Sequence, residues 1–269
     1  MAPSVNEVRY YQAVAAPHIR ATSGTGDTYL TPRHKHATMD HVVVSWSGGK
    51  DASLALWETI QDPTTEVVEL LTTVDEANDR VSMHGVREEL LDRQAAALDL
   101  PIRKVPIPEE CVNETYERRM TEAVADYEAR GVDRIVFADL FLEEVREYRE
   151  SRLADTDLGG SWPLWGRDTA DVARAFLDAG FRATVACVDA DALGPEWAGR
   201  ELDDAFFADL PAAVDPCGEH GEFHTFVTDG PTFDEPVPVD VADVVTRPVE
   251  EGEYHYADLR PAARTPVGR

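Results

Sequence analysis

Two short segments of the chain concentrate the residue types that can bind phosphate and transfer protons. One is SGGKD at residues 47–51, and the other is DPCGEHGEFHTF at residues 215–226. In the first segment the glycines lack a Cβ and allow backbone amides to converge, while Lys50 adds a cation and Ser47 and Ser53 add hydroxyl donors. Such a group suits an anion, most often phosphate, and Asp51 is a candidate ligand for a magnesium ion beside it. The spacing matches neither the Walker A loop nor the dinucleotide-binding fingerprint.

The second segment has the composition of a site loop rather than of a core segment. It places two glycines among two glutamates, two histidines and a cysteine at residues 217–224. Loops of this kind often carry functional residues. Cys217, His220 and His224 have a tolerable zinc-ligand spacing, but the intervening glutamates and the missing fourth ligand favour a polar pocket. A solvated acidic loop is the remaining alternative.

The residues around the first segment predict the elements that position it. Val42 and Val44 belong to a β-branched run before the glycines, and apolar residues at helical spacing follow at Leu54, Ala55 and Trp57. This order predicts a strand, a glycine loop and a helix. The unpaired amides and the positive dipole end of the new helix would then face the anion.

Strands and helices alternate over most of the remaining chain. Further strands are predicted at residues 66–74, 102–107, 134–138 and 181–188, with helices at 86–98, 112–130, 143–154 and 167–179. This alternation predicts an α/β fold with a doubly wound, parallel five-stranded sheet, whose ligand lies beyond the carboxyl ends of the strands.

The chain is expected to divide into four regions. Residues 1–38 lack clear periodicity and carry four basic against two acidic residues, which predicts a disordered extension or sequence upstream of the natural start. Residues 39–192 form the predicted α/β domain that binds the nucleotide. Residues 193–240, with a helix at 201–210 and many prolines, form a smaller substrate lobe, and residues 241–269 form a β-like tail.

The composition bounds the class of protein. The net charge is −27, from 52 acidic and 25 basic residues, and only Lys35, Lys50 and Lys104 are lysines. This favours a surface suited to high intracellular salt, with an ordinary acidic protein as the alternative, and it disfavours a large nucleic-acid interface. Three cysteines without a CxxC pair, no long apolar run and no charged-then-apolar leader predict a soluble cytoplasmic protein without a membrane partner.

Residues 47–53, SGGKDAS, resemble the PP-loop of the N-type ATP pyrophosphatases, with Ala52 where a serine is usual and Ser53 next to it. The resemblance extends through HGVR (84–87), FADLFLEEVR (137–146), PLWGRD (163–168), GRELD (199–203) and CGEHGEFHT (217–225). These motifs, in this order, are similar to those of the diphthine–ammonia ligase-like ATP-binding family. The last motif departs from the GEGGEYET or GEGGEFET of established diphthamide enzymes and resembles a less characterised bacterial branch.

The resemblance implies an adenine nucleotide alpha hydrolase-like fold and an ATP- and Mg²⁺-dependent ligase. Such an enzyme adenylates a small-molecule or protein-borne carboxylate, releases pyrophosphate, and releases AMP when ammonia attacks. The implied catalytic residues are Lys50, Asp51, Asp139, Glu219 and Glu222, with Asp51 and Asp139 as metal ligands. The implied nucleotide contacts are Ser45, Trp46, Ser47, Gly48, Gly49, Lys50, Asp51, Ser53, Thr73, His84, Gly85 and Arg87. The implied substrate contacts are Trp165, Gly166, Cys217, Gly218, Glu219, Gly221, Glu222, His224 and Thr225.

Two other functions remain open from the sequence. A PP-loop RNA-modifying enzyme would want a cysteine pair and a basic face, and neither is visible. An ATP-binding regulatory module would need the glycine loop but not the acid-rich segment. A homodimer is a further possible assembly.

Overall fold

Five parallel strands form the first sheet of the protein. The computed structural model describes residues 39–76, 80–81, 85–108, 113–249 and 252–263. The strands are β1 (Asp40–Ser45), β2 (Thr65–Asp75), β4 (Ile102–Ile107), β5 (Arg134–Val136) and β6 (Gly159–Ser161), in the order β4-β2-β1-β5-β6. A short strand, β3 (Arg80–Val81), pairs antiparallel with the end of β2. The predicted α/β class with a five-stranded parallel sheet is confirmed.

Helices cover both faces of this sheet. They are α1 (Lys50–Ile60), α2 (Glu88–Ala97), α3 (Asn113–Ala129) and α4 (Glu143–Leu153). Successive side chains of a strand point to opposite faces. Val42 and Val44 therefore join one core with Leu54 of α1, whereas Val43 joins a second core with Tyr127 of α3.

A second sheet is antiparallel and forms from the C-terminal part of the chain. Its strands are β7 (Arg182–Asp189), β8 (Phe223–Asp229), β9 (Val239–Val249) and β10 (Gly252–Pro261), in the order β8-β7-β10-β9. Helix α5 (Thr169–Asp178) precedes this sheet, and helix α6 (Asp204–Asp209) and a 3₁₀ turn (Pro195–Trp197) lie between β7 and β8.

The predicted fifth strand, residues 181–188, was assigned to the wrong sheet. It corresponds to β7, whereas β6 completes the parallel sheet. Buried strands of either kind read as apolar runs, so periodicity does not separate them. The three residues of β6, Gly-Gly-Ser, carry no strand signal at all.

The two sheets meet through α1, α2 and the glycine loop. The Val227 amide of β8 donates to the Gly48 carbonyl at 2.9 Å, and the Asp234 amide donates to the Ala97 carbonyl of α2 at 2.7 Å. Leu54 and Phe226 belong to one continuous buried cluster. The second sheet therefore holds the glycine loop in place from outside the parallel sheet.

Several sequence predictions concern parts of the chain that the structure leaves undescribed or untested. The prediction for residues 1–38 lies outside the described residues, as do His84 and Cys111. Cys187 and Cys217 are buried, and neither forms a disulfide within the described residues. The four-region division stays a prediction.

None of the helices in the described ranges has the length and apolar composition needed to cross a bilayer.

Candidate active site

A cavity of about 460 Å³ lies at the carboxyl ends of β1, β2 and β5, where parallel sheets bind ligands. The glycine loop (residues 47–51) and the acidic loop (residues 215–222) both contribute to its walls, and they contact each other where Lys50 donates to the Cys217 carbonyl. The structure brings most of the predicted site residues to it. Its walls include Ser45, Trp46, Ser47, Gly49, Lys50, Asp51, Thr73, Asp139, Cys217, Gly218, Glu219, His224 and Thr225.

Lys50 lies between the two loops and is only 3% exposed. Its Nζ donates to Asp51 Oδ2 at 2.7 Å and to the carbonyl of Cys217. Burial by itself lowers the pKa of Lys50, but the charge of Asp51, with smaller contributions from Cys217 and Glu219, outweighs it and raises the pKa above its ordinary value. Lys50 is therefore a permanent cation, and an ammonium has a third N–H for a ligand.

The amides of the glycine loop are arranged differently from the predicted open nest. The Gly49 amide donates to Ser47 Oγ at 3.2 Å, and the Lys50 amide donates to Thr225 Oγ1 at 3.0 Å. Buried amides need acceptors, and these two hydroxyls supply them. A hydroxyl that accepts still has its own O–H to donate. At these two positions the donors available to an anion are therefore the hydroxyls of Ser47 and Thr225, and not the amides of Gly49 and Lys50.

Gln94 of α2 is a residue that the sequence analysis missed. It is fully buried; its Oε1 accepts from Trp46 Nε1 at 3.1 Å, and its Nε2 donates to the carbonyls of Gly48 at 3.0 Å and Val227 at 2.7 Å. It therefore ties the glycine loop to both sheets. The sequence does contain a sign of its role. Gln94 is a polar residue four positions after Leu90, and it therefore lies on the same, buried face of an amphipathic helix.

The acidic loop holds itself together with its own carboxylates. Asp215 Oδ1 accepts from the amides of Cys217 at 2.8 Å and Glu219 at 3.2 Å. Glu222 accepts from the amides of Asp215 and His220, both at 3.0 Å. Glu222 is not among the cavity residues, and its hydrogen bonds stabilise the loop; its predicted catalytic role stays a prediction.

Glu219 is the carboxyl group of the acidic loop that reaches the cavity. Its Oε1 accepts from the Leu140 amide at 2.8 Å. Burial first, and then the negative charge of Asp51, raises the pKa of Glu219 to about 8. Glu219 is therefore mostly protonated at neutral pH and can exchange its proton near pH 8.

Two protein-family models match the chain. A model described as the diphthamide synthase N-terminal domain matches residues 40–155, and one described as the diphthamide synthase C-terminal domain matches residues 168–256. The chain belongs to the diphthamide synthase family. The N-terminal match contains the glycine loop, and the C-terminal match contains the acidic loop and β8. No match was found among curated proteins.

The two metal ligands implied by the diphthamide synthase resemblance differ in their surroundings. Asp51 Oδ1 is buried and has no hydrogen-bond partner, which fits a cation ligand. Asp139 is occupied, because Arg149 Nε lies 2.9 Å from its Oδ2, Arg149 Nη2 donates to its Oδ1 at 3.1 Å, and Trp162 Nε1 donates to Oδ2 at 3.2 Å. The residues present thus fit a metal at Asp51 and not at Asp139. The described residues contain no cluster of three histidine, cysteine or acidic ligands, so the zinc alternative finds no support there.

Two further residues of the predicted diphthamide synthase nucleotide site lie elsewhere. Gly85 faces the ring of Tyr256, and Arg87 pairs with Asp258 of β10 at 2.7 Å. Neither is among the cavity residues. Both residues contact β10, which is distant from them in the sequence. Residues 85–87 therefore pack against β10 and do not line the cavity.

Ser53, a predicted nucleotide contact next to Ala52, is fully buried and is not a cavity residue. Ala52 does line the cavity. The hydroxyl that the usual PP-loop offers at position 52 is therefore not replaced from position 53. Trp165 and Gly166, predicted substrate contacts, also lie outside the cavity, and the Trp165 ring lies 4.7 Å from the Arg146 guanidinium.

Proposed function

We propose that the protein is an ATP-dependent ligase that joins a carboxylate to ammonia. A carboxylate oxygen attacks the α-phosphorus of ATP, which expels pyrophosphate and forms an acyl-adenylate. Ammonia then attacks the acyl carbon, a C–N bond forms, and the C–O bond to the phosphate breaks as AMP leaves. Membership of the diphthamide synthase family supports an ATP-using enzyme of the ligase or amidotransferase type.

The observation that carries this proposal is the buried cation of Lys50 at the start of α1, in the wall of the cavity that Glu219 also lines. Expulsion of pyrophosphate builds negative charge on the leaving phosphates, and a fixed cation in a water-poor site stabilises that charge strongly. Lys50 is held in advance by Asp51 and by the Cys217 carbonyl, so it does not reorganise when the charge develops. The hydroxyls of Ser47 and Thr225 add donors on the same side of the cavity.

Glu219 suits the second half-reaction. Attack by ammonia on the acyl carbon gives a nitrogen that must lose a proton. A carboxylate with a pKa near the working pH is an effective acceptor, and the pKa of Glu219 is raised to about 8. In this proposal the proton moves from that nitrogen to the Glu219 carboxylate.

Asp51 would hold a magnesium ion, with Oδ1 as the donor atom. The ion would neutralise part of the triphosphate charge when bound. Asp139 would keep its hydrogen bonds to Arg149 and Trp162 and so hold the Arg149 side chain in the wall of the cavity.

The test is product analysis with ATP labelled at the α-phosphate, in molar KCl, with ammonium and a panel of carboxylates. Carboxylate-dependent formation of AMP and pyrophosphate in equal amounts is expected, and hydroxylamine should trap the acyl group as a hydroxamate. Formation of ADP would contradict the proposal. Tight binding of ATP without turnover by any carboxylate would instead favour an ATP-binding regulatory module.

A further inference from the structure

The cavity extends beyond the two loops into a slot between α3 and α4, above β5. We define this α3–α4 slot by Met120, Val124, Ala125, Ile135, Phe137 and Leu153, which line the same cavity as Lys50. The slot is continuous with the proposed reaction centre. It was not visible in the sequence, because its walls come from three elements that are separate along the chain.

The walls of the α3–α4 slot are apolar. Val124, Ile135, Phe137 and Leu153 are at most 8% exposed. Two tyrosines, Tyr116 and Tyr148, also line the cavity and add aromatic surface to it. Removing apolar ligand surface from water in such a slot is favourable, at about 25 cal/mol per Å².

The charged side chains that line the slot in the described part of the chain have partners. Glu117 pairs with Arg152 at 3.2 Å, and Arg149 pairs with Asp139 at 2.9 Å. Glu128 accepts from the Asp157 amide at 2.8 Å. A charged ligand group would have to break one of these pairs, whereas a neutral hydrocarbon group would not. The charge balance of the slot therefore selects a neutral, apolar occupant.

We infer that the α3–α4 slot binds the hydrocarbon portion of the carboxylate substrate, so that the substrate class is a carboxylic acid with an apolar chain or ring. This inference rests on the proposed ligase function, because that reaction requires a carboxylate near Lys50. Polarity divides the cavity in two. The glycine-loop end receives phosphates, and the slot receives the part of the acid that does not react.

A pair of matched variants tests the inference. Ala125→Trp fills the slot, and Ala129→Trp makes the same change one turn later on α3. Both alanines are exposed, but Ala125 lines the cavity and Ala129 does not. The probes are acetate, butanoate, hexanoate and octanoate, with binding measured by calorimetry in molar KCl. In the unmodified protein each added methylene should tighten binding about three- to fourfold, which corresponds to about 0.8 kcal/mol per methylene. Ala125→Trp should lose this trend and bind octanoate at least tenfold more weakly, and Ala129→Trp should keep it.

Affinity that does not change with chain length in the unmodified protein would overturn the inference. The same holds if Ala125→Trp binds octanoate as tightly as Ala129→Trp does. If Ala125→Trp fails to fold, Thr121→Trp repeats the test, with Glu122→Trp as its exposed neighbour outside the cavity.

The two proposals fail in distinguishable ways. If chain length governs binding but no acid gives AMP, the slot stands as a binding site and the ligase function falls. If short acids give AMP while chain length has no effect on binding, the ligase function stands and the slot assignment falls.

Discussion

The glycine loop and the acidic loop both line the cavity and look similarly equipped in the sequence, yet they use their charged groups differently. In the glycine loop, Lys50 and Asp51 both line the cavity. In the acidic loop, Asp215 and Glu222 bind the loop's own amides, and Glu219 is the acidic side chain that reaches the cavity. The comparison teaches that a carboxylate in an acidic protein becomes available for chemistry only where protein hydrogen-bond donors do not already occupy both of its oxygens, as two backbone amides do for Glu222 and as amides and the Thr169 hydroxyl do for Asp215.

The largest expected effect tests the chemical side of this comparison. Lys50→Ala removes the buried cation, and turnover should fall at least about 100-fold, the loss typical for one preorganised charge-stabilising donor. AMP release under saturating ATP measures it. Lys104→Ala is the matched control, because Lys104 pairs with Glu88 and Asp92 away from the cavity, and it should keep normal turnover. Normal turnover in Lys50→Ala would remove Lys50 from the mechanism.

The next prediction tests whether the acidic loop depends on its backbone shape. Gly218 has φ +66°, and a Cβ there would lie 2.5 Å from the Phe223 carbonyl oxygen. Gly166 has φ +73° but open space around it. Gly218→Ala should therefore lower the free energy of unfolding by about 3 kcal/mol, and Gly166→Ala by about 1 kcal/mol. Denaturant unfolding measures both; equal losses would mean that the loop yields to the added methyl group.

Replacing glutamate by glutamine should have a smaller effect on the free energy of unfolding, and that effect should differ between Glu222 and Glu219. Glu222→Gln leaves an oxygen for one of two amides and sets an NH₂ group against the other, so unfolding free energy should fall by about 2 kcal/mol. Glu219→Gln keeps the acceptor for the Leu140 amide and should not destabilise the protein at neutral pH. Equal destabilisation by the two variants would erase the distinction between them.

A further effect is a gradient of about 1 kcal/mol per pH unit in the free energy of unfolding, and it concerns the pH dependence of stability. Burial raises the pKa of Glu219 from 4.5 to about 8, so the stability that its proton provides is complete below about pH 4.5 and is lost as pH rises through about 8. Glu219→Gln removes this loss. The difference in unfolding free energy between variant and unmodified protein should grow with pH in that window and level off above it. A flat difference would mean that Glu219 titrates normally.

The same variant sharpens the proposal for catalysis. The rate of amide formation at saturating ammonia should rise with an apparent pKa of about 8 in the unmodified protein, and Glu219→Gln should lose that rise. Lys104→Ala again serves as the control. A profile that stays the same in Glu219→Gln would assign the proton transfer to another group.

Much of the fold followed from local patterns. The strand, glycine loop and helix at residues 40–60, and the helices α2 to α5, lie within a few residues of their predicted bounds. The prediction erred for β7 because an apolar run does not specify the sheet that it joins, and for β6 because Gly159–Ser161 has no strand-forming side chain.

The amino-acid sequence by itself determined the position of the glycine loop, because apolar spacing and turn chemistry act over a few residues. The alternation of strands and helices along the chain indicated the α/β class, and the ordered motifs indicated the family. Only the tertiary structure decided which polar groups face the cavity. Gln94 finds Gly48 and Val227, Thr225 caps the Lys50 amide, and Asp258 draws Arg87 away. Each of these outcomes depends on a partner far along the chain, since a buried donor or acceptor must bond with whatever the fold brings beside it.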